Sequence, residues 1–314
     1  MYKLKNLTGD GPTSFVSLLT TKWDEVHENT DIFRYKINKL EERHVDGKYL
    51  LQLNPDRQYK RRTPEEMNNI CQPFDEKKFN FNQVSPNEIL FAIEGEGSDK
   101  HTVLVNVSPI SRYHSLLCPS VNRCLPQVVT RESLNLALQI MFTMEDRDVR
   151  IGFNSMCGFA SVNHLHYHLL VEKNNLYVED VKWEHVVGDL YCLDKNYPMP
   201  AFCFEIQRNS STQTLWKVME YFLKKSIAHN ILLTKSRRVG GREDVVDVIV
   251  WPRKSTTGAK KQAAFNVAVL ELSGWFPIYD ADAFKNLQAK DLEAELHKWV
   301  REDFENIREE VKFL

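Results

Sequence analysis

The segment Ser161-Val162-Asn163-His164-Leu165-His166-Tyr167-His168-Leu169-Leu170 alternates imidazole with apolar side chains at a strict period of two. Read as a β-strand, it places His164, His166 and His168 on one face and the apolar side chains on the other. Neighbouring imidazoles would then lie roughly 7 Å apart along the strand. A helix would turn residues i and i+2 about 200° apart and scatter the rings. The pattern therefore predicts a strand that carries a row of histidines.

A row of histidines on one strand face has three explanations. The first is a structural row without chemistry, partly buried or solvated. The second is a metal site, because imidazole is the commonest ligand for zinc and copper. The third is phosphoryl or nucleotidyl transfer, in which one ring is the nucleophile and its neighbours hold phosphate oxygens. The residue types of this segment alone leave all of these open.

The composition is typical of a globular protein whose charges nearly balance. The chain has 314 residues, of which 42% are hydrophobic and 27% charged, and its formal net charge is −2. This length suffices for one large core or two of ordinary domain size. The near-neutral balance argues against a general nucleic-acid or membrane-surface binder. We therefore expect no nucleic acid and no membrane among its partners, and any anion site must be local.

Other features of the sequence predict a cytoplasmic protein. The N-terminal stretch MYKLKNLTGDGPTSF has no apolar core and no small-residue cleavage site, so we expect no secretory signal. No apolar run approaches the roughly 18 residues of a membrane span. The six cysteines include no C-x-x-C pair, and we expect them to be reduced thiols.

The order of predicted elements repeats along the chain. Residues 1–195 contain several strands and a helix from Thr130 to about Met144, and residues 196–314 contain further strands and a helix from Ser211 to His229. A charged amphipathic helix is predicted from Asp291 to Lys312. The second half has no His-x-His-x-His of its own. If the halves arose by duplication, only the first kept the chemistry.

Two loops concentrate positive charge in this nearly neutral chain. The loop between Asn54 and Pro64 contains Arg57, Lys60, Arg61 and Arg62, and a later loop contains Lys235, Arg237 and Arg238. One interpretation is an ordinary solvated basic loop. The other is an arm that holds a phosphate or a ribose.

The spacing of asparagine, glycine and histidine resembles a known nucleotide-binding pattern. The residues Asn106-x-x-Pro109-x-x-x-x-His114 and Asn154-x-x-x-Gly158-x-x-Ser161-x-x-His164-x-His166-x-His168 resemble the pattern of the histidine triad superfamily. The blocks GKYLLQLNPDRQYKRR, QPFDEKKFNFNQV, LVNVSPISRYHSLLCPS and FNSMCGFASVNHLHYH resemble the GDP-hexose phosphorylases. The plant GDP-L-galactose enzymes carry Gln as the third triad member. This chain has His168 at that position, and in this respect it resembles the animal branch, the GDP-D-glucose phosphorylases.

This resemblance implies a fold and a reaction. The fold is α+β, with antiparallel sheets, helices packed outside and two histidine-triad-like halves, residues 1–195 and 196–314. Two halves in one chain can replace the dimer of single-unit triad proteins, so we expect a monomer. The implied substrates are a GDP-hexose and inorganic phosphate. No cluster of Cys or carboxylates accompanies the histidines, so we expect no metal and no cofactor. A triad-type hydrolase and a non-catalytic nucleotide-binding regulator are the alternatives.

The triad histidines and a serine would carry the chemistry. His166 is flanked by imidazoles on both sides, and we expect it to attack the α-phosphorus while its other nitrogen donates to a backbone carbonyl. The resemblance places His164 as a support for the loop and that carbonyl. His168 and Ser161 would lie against phosphate oxygens, with N–H groups of the 158–161 loop as further donors.

Further residues would contact the nucleotide. Asn106 occupies the family's ribose position, and its amide can both donate to and accept from hydroxyls. His114 is either a pocket residue or a structural histidine, and Asn154 is either a pocket or a turn residue. The complete set expected to bind the substrates is Asn106, His114, Asn154, Gly158, Arg57 and Arg61.

Overall fold

The computed structural model describes residues 1–61, 65–235, 244–257 and 264–314. The helices of this part of the chain are α1 (Phe15–Asn29), α2 (Asp56–Lys60), α3 (Arg131–Thr143), α4 (Gln213–Lys224), α5 (Val269–Ser273), α6 (Ala281–Asn286), α7 (Ala289–His297) and α8 (Phe304–Val311). The strands are β1 (Glu41–Val45), β2 (Tyr49–Leu53), β3 (Ile89–Glu94), β4 (Lys100–Val105), β5 (Ser115–Cys118), β6 (Val149–Asn154), β7 (Tyr167–Val171), β8 (Trp183–Val187), β9 (Leu190–Leu193), β10 (Phe202–Gln207), β11 (His229–Lys235), β12 (Val245–Pro252) and β13 (Trp275–Ile278).

Most strands belong to one antiparallel sheet that has ten strands in the order β3-β4-β5-β7-β6-β11-β12-β10-β9-β8. A smaller sheet has the order β1-β2-β13, in which β13 runs parallel to β2. Antiparallel sheets with helices outside are the α+β architecture expected from the sequence.

The large sheet contains one strand pattern twice. In chain order, β3-β4-β5-α3-β6-β7 is matched by β8-β9-β10-α4-β11-β12, and the strand order within each half of the sheet is the same. The halves join where β6 pairs with β11, at Asn154 opposite Asn230 and the residues that follow. The hairpin β8–β9 precedes residue 195 but pairs with β10. The boundary between residues 195 and 196 stays a prediction.

Each face of the sheet packs on its own core. Helices α1, α3, α4 and α8 cover one face, and the apolar alternates of the histidine segment, Leu165, Tyr167 and Leu169, are buried in this core. The opposite face packs on the small sheet and on α5, α6 and α7. The prediction that the apolar side chains of the histidine segment share one face is therefore confirmed.

The two helices predicted around residues 130–144 and 211–229 are both present. Thr130 caps α3, since its Oγ1 accepts a hydrogen bond from the Ser133 N–H at 3.1 Å. The second helix, α4, is shorter than predicted and ends at Lys224. The chain turns at Ser226, where φ is +52°, and His229 already begins β11.

The long helix predicted from Asp291 to Lys312 is wrong. The chain forms α7 and α8 with an irregular segment between them. Trp299 lies in this break, where its backbone carbonyl accepts from the Lys254 N–H at 2.9 Å and its ring lies 4.6 Å from the Arg253 guanidinium. These tertiary contacts interrupt a segment whose polar–apolar periodicity is helical throughout.

The strand predicted for the whole histidine segment begins only at Tyr167. Before it, the backbone pairs with the loop that precedes α3: the Leu165 N–H donates to the Leu125 carbonyl at 2.9 Å, and the His166 N–H donates to Gln127 Oε1 at 2.8 Å. A side-chain amide thus takes the place of a neighbouring strand. The prediction that all three histidines lie on one strand face is therefore wrong for His164 and His166, which precede the strand.

Candidate active site

A cavity lies where β4, β6 and β7 end or begin, and it brings together residues from distant parts of the chain. The predicted site residues that line it are Arg57, Arg61, Asn106, Asn154, Ser161, His166 and His168. His114, Gly158 and His164 are not among the lining residues. These three residues contribute through the contacts described below.

The ring of His166 is oriented by the backbone of its own segment. Its Nδ1 lies 2.7 Å from the His164 carbonyl oxygen, which can only accept a hydrogen bond. Nδ1 therefore donates, and in the neutral ring the lone pair is on Nε2. The hydrogen bond to a backbone carbonyl expected from the sequence is present. The side chain lines the cavity, and its neutral form presents the Nε2 lone pair that a nucleophilic nitrogen requires.

Gln127 holds the backbone of His166 and was not expected from the sequence. Its Nε2 donates to the carbonyls of Asn154 at 2.9 Å and His166 at 3.0 Å, while its Oε1 accepts from the His166 N–H. The Gln127 side chain is fully buried. One amide thus joins the end of β6 to the histidine segment. A glutamine in a loop carries no sequence signal of such a role.

The ring of His164 packs among aromatic side chains. Its Nδ1 accepts from the Phe81 N–H at 3.0 Å, and its ring stacks on Phe81 and contacts the edge of Phe74. Burial lowers the pKa of His164 to about 4, so the ring is neutral at pH 7. Its carbonyl accepts a hydrogen bond from His166 Nδ1, and the supporting role that the resemblance implies stays a prediction.

His114 and His168 form a chain of hydrogen bonds that ends at the cavity. The Ile110 N–H donates to His114 Nδ1 at 3.0 Å, so the proton of the neutral ring lies on Nε2. Nε2 is 3.0 Å from His168 Nδ1 and donates to it. The proton of a neutral His168 is then on Nε2, on the side of the cavity. Burial, and secondarily the charge of Arg57, hold the pKa of His114 well below its usual range.

The amide of Asn154 is oriented by residues of the second half. Its Oδ1 accepts from Asn230 Nδ2 at 2.6 Å and from the Val269 N–H at 3.0 Å. Its Nδ2 therefore faces His168, whose Nε2 is 3.3 Å away. With the tautomer assigned above, His168 Nε2 and Asn154 Nδ2 both carry protons and do not hydrogen-bond to each other, so an anionic oxygen beside them can accept from both. The amide of Asn230 belongs to the site, although no motif marked it.

Gly158 lies at a position where only a glycine fits without a close contact. A Cβ there would lie 2.6 Å from Ser155 Oγ and 2.8 Å from the His229 carbonyl oxygen. The N–H groups of Gly158 and Ala160 both donate to the Ser155 carbonyl. These two N–H groups of the 158–161 loop are therefore already hydrogen-bonded within the loop, and the contact of Gly158 with the nucleotide stays a prediction. Ser161 does line the cavity.

The basic loop contributes two of its residues to the cavity. The Arg57 guanidinium donates to the Ser108 carbonyl, and the Arg61 guanidinium lies 5.6 Å from the Tyr279 ring. Lys60 is exposed and pairs with Asp56 at 2.7 Å. Among the remaining candidates, Lys235 lines a separate depression with Arg147 and Arg208, and Arg62, Arg237 and Arg238 lie outside the described residues.

Two carboxylates line the cavity, and neither was expected from the sequence. Glu271 is buried, and its Oε2 accepts from the Ala268 N–H at 2.8 Å. Burial raises the pKa of Glu271 to about 7, against the opposing effect of neighbouring hydrogen bonds and arginines. Glu88 lies on the 3-10 turn Pro86–Glu88. Glu271 is some hundred residues beyond the histidine segment, so only the fold could show their proximity.

Within the described ranges, no group of three or more His, Cys, Asp or Glu side chains is placed to hold a metal ion. The expectation that no metal binds stays a prediction. In the same part of the chain, no helix has the length and apolar character that a membrane crossing requires.

Comparison with known proteins identifies the family. The model of the N-terminal domain of GDPGP1-like proteins matches residues 14–170, and that of the C-terminal domain matches residues 189–312. GDP-D-glucose phosphorylase 1 of Danio rerio is 34% identical over 92% of this chain and 88% of its own, and that of Homo sapiens is 33% identical over 87% and 76%. GDP-L-galactose phosphorylase 2 of Arabidopsis thaliana is 34% identical over 53% of this chain and 45% of its own.

Among solved structures, yeast Ap4A phosphorylase Apa2 superposes with a TM-score of 0.61 over 89% of this chain and 95% of its own, at 15% identity. This similarity shows a common fold and confirms the α+β class predicted from the sequence. The two family models together match most of the chain, and the curated animal relatives align along most of its length. The chain belongs to the GDPGP1-like family.

Proposed function

We propose that this enzyme phosphorolyses a GDP-hexose, with GDP-D-glucose as the first candidate, and releases GDP and hexose 1-phosphate through a guanylyl-histidine on His166. The observation that carries the proposal is the hydrogen bond from His166 Nδ1 to the His164 carbonyl, which leaves the lone pair on Nε2 in the cavity. The animal relatives are named as GDP-D-glucose phosphorylases, which supports the choice of substrate.

In the first half-reaction, His166 Nε2 attacks the α-phosphorus. The bond from phosphorus to the oxygen that bridges the α- and β-phosphates breaks, and hexose 1-phosphate leaves with its electron pair. GMP remains on the imidazole through a P–N bond. In the second half-reaction an oxygen of inorganic phosphate attacks the same phosphorus, the P–N bond breaks, and GDP leaves. Two displacements through a neutral base replace one displacement between two anions.

The groups around His166 stabilise the charge that develops on the α-phosphate oxygens. His168 presents a donor whose position follows from the chain through His114, and Asn154 Nδ2 faces the same region. Both donors are positioned before substrate arrives, so little reorganisation opposes the transition state. Ser161 supplies a hydroxyl from the opposite end of the 155–161 loop.

The remaining lining residues fit the other parts of the substrates. Asn106 Oδ1 accepts from the Ser108 N–H at 3.0 Å, which orients the amide beside the ribose position. Arg57 and Arg61 supply the positive charge for the β-phosphate and for the incoming phosphate. Guanidinium groups suit this role, since their planar donors match phosphate oxygens.

The test is product analysis with a panel of GDP-hexoses, with and without inorganic phosphate. We expect GDP and hexose 1-phosphate to form in equal amounts, and only when phosphate is present. Release of GMP at the same rate without phosphate would make the protein a hydrolase of the triad type. Tight binding of GDP-hexose without any product in a single turnover would make it a nucleotide-binding regulator. The predicted monomer is tested separately by light scattering, and the predicted cytoplasmic location by imaging of the tagged full chain.

A further inference from the structure

The cavity changes character from one end to the other. One end has apolar walls from Phe79, Phe81, Val84, Leu104, Leu116 and Val162. The Phe81 ring lies 5.1 Å from the His166 ring, so this apolar slot adjoins the proposed nucleophile. Flat aromatic and aliphatic walls of this kind suit a planar base, which has an apolar face and a polar edge.

The order of residues along β4 and its continuation indicates how a nucleotide would lie. Leu104 belongs to the apolar slot, Asn106 follows, and Ser108 contacts the Arg57 guanidinium through its carbonyl. A base in the slot would place the ribose at Asn106 and the phosphates between the histidines and Arg57. The base edge would then face the segment of residues 79–88 that closes the slot.

Glu88 is the carboxylate of that segment, and its orientation is defined. Its Oε1 accepts from the Ser85 N–H at 3.0 Å, while Ser85 Oγ accepts from the Asn87 N–H at 3.3 Å. This is a capping box, which holds the side chain against its own turn. In the part of the chain that the structure describes, Oε2 of Glu88 makes no hydrogen bond and the carboxylate pairs with no Lys or Arg.

A carboxylate beside a site for anionic substrates is repulsive unless it faces donor groups. An ionised carboxylate accepts hydrogen bonds and cannot donate them. Guanine presents two adjacent donors on its Watson–Crick edge, N1–H and the N2 amino group, and both can bind one carboxylate. Adenine presents an unprotonated N1 there, whose lone pair a carboxylate repels. The charge of Glu88 therefore matches guanine and opposes adenine.

We infer that Glu88 selects the base, by accepting hydrogen bonds from guanine N1–H and N2–H in the apolar slot. The inference rests on the proposed function for the identity of the substrate and adds the residue that reads it. A merely structural Glu88 would cap Ser85 and make no difference between bases.

The Glu88→Gln variant separates the two roles, because glutamine preserves the capping box while it exchanges one acceptor for a donor. Its amide can donate to adenine N1 and accept from the N6 amino group. Binding of GMP, IMP and AMP is measured by calorimetry on the wild type, on Glu88→Gln and on Glu96→Gln. The last variant is a matched control, since Glu96 is exposed in the turn between β3 and β4 and lies outside the cavity lining.

In the wild type we expect GMP to bind on the order of 10- to 100-fold more tightly than AMP, with IMP between them because it lacks the N2 amino group. Glu88→Gln should weaken the binding of GMP and strengthen the binding of AMP. Misfolding cannot produce a gain in AMP affinity. Glu96→Gln should bind both nucleotides as the wild type does. An unchanged GMP-to-AMP ratio in Glu88→Gln would overturn the inference.

Turnover of GDP-glucose and ADP-glucose with phosphate by the same proteins keeps the two claims apart. If the wild type phosphorolyses GDP-glucose but Glu88→Gln keeps its base preference, the inference fails and the proposed function stands. If base selection depends on Glu88 but no GDP-hexose is phosphorolysed, the proposed function fails and the base site stands.

Discussion

The two halves of the large sheet have the same strand order, but corresponding ends of the two halves differ: one end opens into a cavity and the other is filled by a buried ion pair. Where β7 begins, His166 and His168 line an open cavity. At the corresponding end of the second half, on the same face, Thr234 of β11 lies opposite Asp247 of β12. Thr234 Oγ1 donates to Glu179 Oε1 at 2.5 Å, and Glu179 forms a buried ion pair with Arg150.

The buried ion pair at this second end, which we call the closed end, presents no group to a ligand, because Arg150 and Glu179 hydrogen-bond to each other. Arg150 binds both oxygens of Glu179 at 2.8 Å, and it also donates to the carbonyls of Asp148, Glu172 and Asn174. Burial raises the pKa of the Glu179 carboxyl, but the hydrogen bonds and charge of Arg150, together with hydrogen bonds from Thr234 and the Leu176 N–H, outweigh burial and leave this pKa below its usual range. In the first half, by contrast, His168 and Asn154 turn donors toward a cavity. The same framework can therefore be used once for structure and once for a site.

The largest expected effect is a loss of kcat at the open end, the end of the first half where His166 and His168 line the cavity. His166→Ala removes the proposed nucleophile, and we expect kcat to fall by on the order of 10⁴-fold or more, because residual catalysis would come from binding alone. The matched control is His185→Ala, whose ring is exposed on the hairpin β8–β9. Steady-state assays of both variants with GDP-glucose and phosphate check this. Comparable activity in the two variants would contradict the assignment.

The next effect concerns the closed end and should change stability without changing chemistry. Glu179→Gln leaves the buried Arg150 charge without its partner, and we expect the free energy of unfolding to fall by about 3–5 kcal/mol. The control is Glu305→Gln, which breaks an exposed pair with Arg308 and should cost less than about 1 kcal/mol.

Urea unfolding measures both variants, and kcat of the folded Glu179→Gln protein should stay at the wild-type value. A large loss of kcat with little loss of stability would mean that the closed end takes part in catalysis.

A smaller effect is expected at the third triad position. His168→Gln keeps a donor but breaks the chain through His114 that orients it. We expect kcat to fall on the order of 10- to 1000-fold, in the range seen when one anion-stabilising donor is lost or misplaced. An unchanged kcat would place His168 away from the reacting phosphate. The thermal midpoint of the variant shows whether folding is preserved.

Buried neutral histidines on both sides of the β6–β11 junction should make the fold sensitive to acid. Burial lowers the pKa of His164 and of His229 to about 4. Between about pH 6.5 and 4 the unfolded chain binds more protons at these rings than the folded chain does. The free energy of unfolding should therefore fall with pH in this window, by up to about 1.4 kcal/mol per pH unit for each ring.

His229→Asn isolates one of these contributions. The variant should lose less stability than the wild type between pH 7 and pH 5, in urea titrations at each pH. Equal losses in the two proteins would mean that His229 is not neutral and buried.

The sequence predicted the parts of the site that are periodic or close together in the chain. The alternation of His164, His166 and His168 with apolar residues indicated which rings face away from the main core. It did not show that the His164 ring turns into a cluster of phenylalanines, because that depends on the packing of Phe81.

The missing parts come from residues far apart in the chain. Gln127, Asn230 and Glu271 reach the site only because β6 pairs with β7 and β11 and because α5 crosses to the end of β6. Each is an ordinary polar residue in its own segment. The break between α7 and α8 was missed for a similar reason, since the contacts of Trp299 are tertiary.

The covalent intermediate is the most direct test of the comparison, because only the open end can carry it. Enzyme mixed with GDP-glucose and no phosphate should release about one equivalent of glucose 1-phosphate and then stop. Mass spectrometry should find GMP on His166, stable in alkali and lost in acid, and added phosphate should discharge it as GDP. Full turnover without phosphate, or a label on another residue, would contradict the account.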